Sequence, residues 1–157
     1  MKVETSRFGE IQVNESSVIK MQRGPIGFED HTSFVVVEHR PDTEFRWFQS
    51  TQEATLAFVV VDPSKFFNEY EITISDADAE KLNLKDEADA NAFVIVTIPG
   101  SGQEITANLA APLIINTKEM TAMQVILPDS HYPVRHPLVA INETFGQETE
   151  KITVKAA

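Results

Sequence analysis

Histidine is the side chain that most often carries acid–base or metal chemistry near neutral pH, and this 157-residue sequence holds four: His31, His39, His131 and His136. The closest pair, His131 and His136, lies in a stretch punctuated by Pro128, Pro133 and Pro137. An offset of five in extended chain puts the two rings on opposite faces, and the prolines exclude a helical site, so the pair does not form a metal centre. Asp129-Ser130-His131 supplies the residue types of a hydrolytic triad. Triad members come from separated segments around an oxyanion hole, and the sequence has no Gly-x-Ser-x-Gly elbow, so these three read as a turn. Carboxylates are too numerous for one catalytic pair to stand out. Gly24-Pro25-Ile26-Gly27 lacks phosphate-loop spacing, and no nucleotide fingerprint occurs elsewhere. Without cysteine there is no thiolate nucleophile, disulfide or thiolate-bound metal. The residues argue for no enzyme, no cofactor and no metal.

Charge is more informative. Twenty-four acidic side chains against thirteen basic ones give a net charge of −11. Such a chain repels a phosphate backbone, which speaks against direct nucleic-acid binding, and it speeds encounter with a basic partner. An acidic surface also serves solubility alone. The charge is concentrated between Asp62 and Asn91, where nine acidic residues and three basic ones carry −6 of the total. No apolar run approaches the length that crosses a bilayer, and the first residues resemble a strand rather than a signal peptide. The chain is expected to stay in the cytoplasm, unattached to a membrane.

The elements that must position these groups are mostly strands. Asn91 to Leu127 reads as three or four consecutive antiparallel strands: Phe93 to Ile98, Ile105 to Leu109, Leu113-Ile114-Ile115, and Met123 to Leu127. Runs apolar at successive positions predict strands covered on both faces, as in the wall of a closed or nearly closed sheet. Upstream, Lys2 to Thr5 and Glu10 to Val13 flank Gly9 as an opening hairpin, and Val18 to Met21 follows as a strand. Gly24-Pro25-Ile26-Gly27 predicts a tight turn with a residue at positive φ, anchored by Phe28. Phe34 to Val37, Glu44 to Gln49 and Leu56 to Val61 are three further strands, the first two joined by a turn at Arg40-Pro41-Asp42-Thr43. Tyr70 to Ile74 alternates as a one-sided strand, and Ser75 caps a short helix reaching Leu82, with Asp76 and Asp78 favourable in its first turn. Residues 139–157 have sparse apolar positions and either fray or add a weak edge strand. The expected fold is all-β: a single-domain antiparallel barrel-like sheet with one or two short helices.

Several words of the sequence, in order, resemble the flagellar assembly factor FliW family. They are Gly24-Pro25-Ile26-Gly27-Phe28-Glu29, Trp47-Phe48-Gln49-Ser50, Leu56 to Pro63, Ala107 to Asn116, Gln124 to Leu127, and the pair Asp129 to Tyr132 and Arg135 to Leu138. The resemblance covers roughly residues 1–138, leaving 139–157 as a C-terminal tail. It implies a cytoplasmic, non-enzymatic regulator that binds flagellin and antagonises the translational repressor CsrA, relieving repression of flagellin synthesis. Export of flagellin would release the regulator to capture CsrA, so that secretion feeds back on translation. A CsrA-type partner must be basic enough to hold RNA, which suits an acidic binder. The free protein is expected to be a monomer. The absence of long heptad-patterned helices argues against a structural subunit of the flagellum.

Interface residues do not carry over from the resemblance and rest on physical grounds. One candidate surface is a polar, partly apolar rim of Glu29, Asp30, Glu44, Phe45 and Trp47. The second is the acidic segment around Phe66, Phe67, Glu69 and Glu71, where adjacent aromatics in a short loop predict that one ring is exposed for a partner. Trp47 is the only tryptophan, and core filler is its alternative role. The alternative function is a small-ligand carrier or enzyme with an interior pocket, into which Asn108, Asn116 and Gln124 would converge. Their other role is hydrogen bonding at strand ends.

Overall fold

The computed structural model describes residues 1–38, 43–67, 70–99, 105–127 and 132–138, and the backbone of 153–156. In chain order it contains β1 (Lys2–Thr5), β2 (Gly9–Gln12), β3 (Ile19–Met21), β4 (Ser33–Val37), β5 (Arg46–Ser50), β6 (Ala57–Val61), β7 (Glu71–Ile74), α1 (Asp76–Lys81), β8 (Ala90–Thr97), β9 (Thr106–Ala107), β10 (Leu113–Asn116), β11 (Thr121–Gln124), β12 (His136–Pro137) and β13 (Thr153–Ala156). Single 3₁₀ turns stand at Glu15–Ser17, Pro63–Lys65 and Glu87–Asp89.

Seven strands close on themselves in the order β10, β11, β3, β4, β5, β6, β8, and β8 returns to β10. The neighbouring pairs are antiparallel except one: β11 runs parallel to β3, with Thr121 opposite Lys20 and Ala122 opposite Met21. Closure removes free edges that would otherwise template aggregation. The interior is filled from all seven strands by Ile19, Met21, Phe34, Phe48, Val60, Leu113, Ile115 and Ala122, with Phe58, Phe93 and Ile95 partly buried beside them. Phe34 and Phe48 stack at 4.4 Å between ring centres, and neither has any exposed surface. Each such side chain contributes about 1.5–3 kcal/mol through burial.

The outer face of the wall explains why β6, β8 and β10 are apolar at successive positions. Val61, Val94, Val96 and Ile114 point away from the interior into a second core with Ile72 and Ile74 of β7, Leu82 at the end of α1, and Leu109, Leu127 and Leu138. These strands are covered on both faces, as their sequences require. Ser75 closes the start of α1 as expected, its hydroxyl accepting the Asp78 N–H at 3.1 Å. Tyr70 donates its hydroxyl to the Leu109 carbonyl at 2.6 Å, and burial, with a smaller contribution from nearby Tyr132, pushes its phenol above the ordinary value. It therefore remains a neutral donor.

Some boundaries differ from expectation. The strand read at Met123 to Leu127 is Thr121–Gln124 instead, because Asn116 pairs with Thr121 across a four-residue turn and sets the register from there. The chain continues extended, Val125 and Leu127 donating their N–H groups to Pro112 and Ala110 at 2.9 Å. Ile105 to Leu109 shrinks to β9, because a bulge follows it. Ala107 faces Val96 and Leu113 faces Phe93, so five residues on one strand oppose two on the other. Asn108 holds that bulge, its Oδ1 accepting from Ala110 and Ala111 at 3.1 and 3.2 Å. The strand expected from Glu44 starts at Arg46, whose guanidinium caps the Thr43 carbonyl at 2.8 Å. At the far end of the chain, β13 pairs in parallel with β7 and forms an edge. The Arg40 to Asp42 part of the expected turn and Asp129-Ser130-His131 lie outside the described residues.

Candidate functional site

Glu29 and Asp30 sit in the connection between β3 and β4. Gly27 adopts φ +89°, the positive value expected in this turn, and Gly24 is sterically obligatory. A Cβ on Gly24 would meet the His31 and Phe28 carbonyl oxygens at 2.1 and 2.3 Å. Phe28, 40% exposed, lies edge-on against Phe58 at 5.3 Å. The Glu29 carboxylate accepts the Gly27 N–H at 3.0 Å. That bond, then the Glu29 amide and the Arg23 charge, holds its carboxyl below the usual range. This acid therefore stabilises the turn itself.

The structure does not unite this turn with Glu44, Phe45 and Trp47. The turn leads into Ser33 at the start of β4, whereas Phe45 and Trp47 stand at the other end of the β4–β5 pair, where Trp47 faces Val37. The five residues of β4, about 17 Å of strand, separate the two groups. Trp47 is half-buried, packed by Phe8 of the first hairpin at 5.9 Å and covered by the Arg7 guanidinium at 4.4 Å. Phe45 belongs to the outer core, where it meets Phe66 at 6.3 Å.

Phe66 and Phe67 correct the expectation of an exposed ring: they are 7% and 8% exposed. The reason is local geometry. Asp62 caps the 3₁₀ turn Pro63–Lys65 by accepting the Ser64 N–H at 2.9 Å, and both Phe66 and Phe67 donate their N–H groups back to Pro63. Adjacent side chains on a 3₁₀ turn are separated by about 120° rather than the 180° of a strand, so both rings fit under one layer. Phe67 then meets Tyr70 and His136 at 6.3 and 5.0 Å. Glu71 is exposed at the start of β7, its N–H bonded to the Tyr132 hydroxyl at 3.0 Å. Glu69 lies outside the described residues.

The three amides of the interior-pocket alternative do not converge. Asn108 holds the bulge. Asn116 is buried and donates to Leu82 at 2.8 Å and Asn83 at 3.3 Å, while its Oδ1 accepts from Lys118 and Glu119. Gln124 donates to Ala111 at 3.0 Å and accepts the Ile26 N–H at 2.8 Å. Each fastens a backbone connection. Among the described residues no three His, Asp or Glu side chains gather where they could hold a metal ion, and no helix is long and apolar enough to cross a membrane.

Two charged surfaces remain. Around α1 and the turn at Glu87–Asp89, exposed Asp76, Glu80, Asp86 and Glu87 form an acidic face. Asp86 caps its turn through the Ala88 N–H at 3.0 Å, and Asp89 pairs with Lys118 at 3.7 Å. Beside this, at the end of the same helix, is a cleft of about 730 Å³ between β3 with its following turn, β11, and α1. Met21, Ala122 and Met123 line it, Ile26 and Ile126 stand beside them 56% and 62% exposed, and Lys20, Arg23 and Lys81 supply positive charge. Glu29 belongs to it, but sequence reasoning found none of the cations. No run marks them, because they come from three separate stretches.

Comparison with known proteins bears on the whole of this arrangement. A family model described as FliW protein matches residues 2–138. Flagellar assembly factor FliW of Alkaliphilus metalliredigens is 38% identical over 138 residues, covering 87% of this chain and 85% of that protein. The protein of the same description from Leptospira biflexa is 35% identical, covering 93% of this chain and 96% of its own. A crystal structure of the flagellar assembly factor FliW superposes with a TM-score of 0.81 at 33% identity, over 88% of this chain and 96% of that one.

Proposed function

This chain belongs to the FliW family, and on that premise we propose that it is a non-enzymatic partner switch in flagellar assembly. It binds flagellin in the cytoplasm and, when flagellin is exported, binds a CsrA-type translational repressor and relieves its block on flagellin synthesis. Relatives bearing the description flagellar assembly factor support the flagellar role. The observation that carries the finer reading is the acidic face around α1 on a chain of net charge −11, which complements a repressor basic enough to hold RNA. Charge of this kind raises the encounter rate, while each exposed ion pair contributes only about 0–1 kcal/mol, so most affinity comes from a few apolar anchors. Residues 1–138 carry the function in this reading, and 139–157 are a tail.

Glu71, exposed on β7, and the half-buried Glu44 and Trp47 belong to the surface proposed for the repressor. Phe45, Phe66 and Phe67 serve it from beneath, by shaping the outer core. Size-exclusion chromatography of the purified chain with flagellin and CsrA from the same organism tests the switch. Co-elution with CsrA that added flagellin dissolves is the expected result. A folded chain that elutes alone from both mixtures overturns it.

A further inference from the structure

We propose that the cleft between β3, β11 and the end of α1 seats a short acidic, apolar-anchored segment of a protein partner. The chain would then present two binding faces of opposite charge. The proposal rests on the reading that this protein works by holding protein partners.

Charge distribution is the first argument. A protein of net charge −11 that gathers Lys20, Arg23 and Lys81 around one cleft creates a positive region inside a negative field. Among the described residues none of the three is held in an ion pair. The single acid in the lining, Glu29, is committed to the Gly27 N–H. An incoming carboxylate meets Lys20 and Lys81, which no acid among the described residues pairs with, and Arg23, whose charge is shared with Glu29.

Apolar content is the second. Met123, partly exposed, gives the cleft an apolar wall whose thioether adapts its shape to what it contacts, while Met21 and Ala122 reach the cleft only from buried positions in the barrel wall. Ile26 and Ile126 are exposed although neighbouring Val125 and Leu127 are buried at 2% and 8%. Extended chain alternates its faces, so burying Val125 and Leu127 in the outer core forces Ile126 outward beside the cleft. Large apolar side chains held at a cationic margin suit a segment that alternates acidic and apolar residues.

The strands also restrict how such a segment binds. β3 is paired on one side with β4 and on the other with β11, and β11 is paired on its far side with β10. At Lys20 and Met21, and at Thr121 and Ala122, no strand edge is left for an added strand. Recognition therefore runs through side chains.

The test uses the full chain and two fluorescein-labelled twelve-residue peptides, one alternating Glu with Leu and Ile, the other with Lys in place of Glu, followed by anisotropy at low and high salt. Saturable binding of the Glu peptide at the cleft is expected, whereas the Lys peptide can meet only the acidic face and its binding should not fall when the cleft cations are removed. The double substitution Arg23→Glu/Lys81→Glu should weaken the Glu peptide about tenfold at low salt and less at high salt, since each change replaces attraction by repulsion at an exposed site. Ile126→Asp should weaken it at both. No saturable binding of the Glu peptide, or binding unaltered by the double substitution in a protein whose circular dichroism is that of wild type, overturns the proposal. A wild-type chain that still forms its CsrA and flagellin complexes while failing these peptide tests loses only the cleft. Failure to form those complexes sinks the partner switch independently.

Discussion

The acidic stretch from Asp62 to Asn91 and the cationic cleft beside β3 were assembled in contrasting ways. The first is contiguous in sequence and conspicuous by composition, yet much of it is architecture. Asp62 and Asp86 cap 3₁₀ turns, Asp89 pairs with Lys118, and Phe66, Phe67, Ile72 and Ile74 disappear into the outer core. The second gathers Lys20, Arg23, Lys81, Ile26 and Ile126 from separate parts of the chain and leaves them exposed, with Lys20 donating to the Ser33 hydroxyl at 3.3 Å. A dense run of one residue type reports local need as readily as binding. A surface collected from distant positions without local need is the more informative one.

The contrast breaks most sharply at a large apolar side chain on each side of it. Phe67→Ala should cost about 3–5 kcal/mol in urea unfolding, as the loss of a buried ring in the outer core. Ile126→Asp at the cleft should stay within about 0.5 kcal/mol. Similar costs for the two would mean that Ile126 is a core residue and the cleft a packing defect. Asn116→Ala comes next, at about 2 kcal/mol, because it removes the donor that ties the end of α1 to the β10–β11 turn and leaves buried carbonyls short of a partner. Hydrogen exchange should report faster opening around Leu82, at the wall of the cleft, with the barrel interior unchanged.

Binding effects on the acidic side should be smaller. Glu71→Lys is expected to weaken CsrA binding about two- to fivefold at low salt and less at high salt, the signature of an exposed charge acting over distance. Calorimetric titration at two ionic strengths measures it, and equal loss at both would remove the steering role of that face. The smallest effect concerns Glu29. Its carboxyl is held below the ordinary range in the folded chain, so the unfolded chain binds that proton more readily. The stability it contributes is complete above the unfolded value and is lost as pH falls through the folded one. Glu29→Gln should therefore flatten the acid limb of a stability–pH profile while leaving the neutral region nearly unaltered.

Much of the architecture was legible from local rules. Period-two and continuous apolar runs marked β4, β6, β8 and β10. Ser75 with Asp78 marked the start of α1, and the glycines around Pro25 marked a turn with positive φ. Each of these signals lies within a few residues, where steric and hydrogen-bonding preferences act directly. The family resemblance was legible for the same reason, being carried by short ordered words.

Tertiary structure alone decided the rest. Whether Phe66 and Phe67 were split or shared a face depended on a 3₁₀ turn that bonds back to Pro63, and on Phe45, Tyr70 and His136 of β12 packing against them. The rim imagined from Glu29 to Trp47 separated because those residues stand at opposite ends of one strand pair. The parallel contact of β11 with β3 brought Thr121 beside Lys20 across about a hundred residues of chain. Composition and periodicity constrain what each segment prefers over a few residues. Closure of a barrel is a long-range condition, satisfied only when all seven strands are in register, and that condition, with Asn116 tying the end of α1 to the β10–β11 turn, placed three cations around one cleft of an acidic protein.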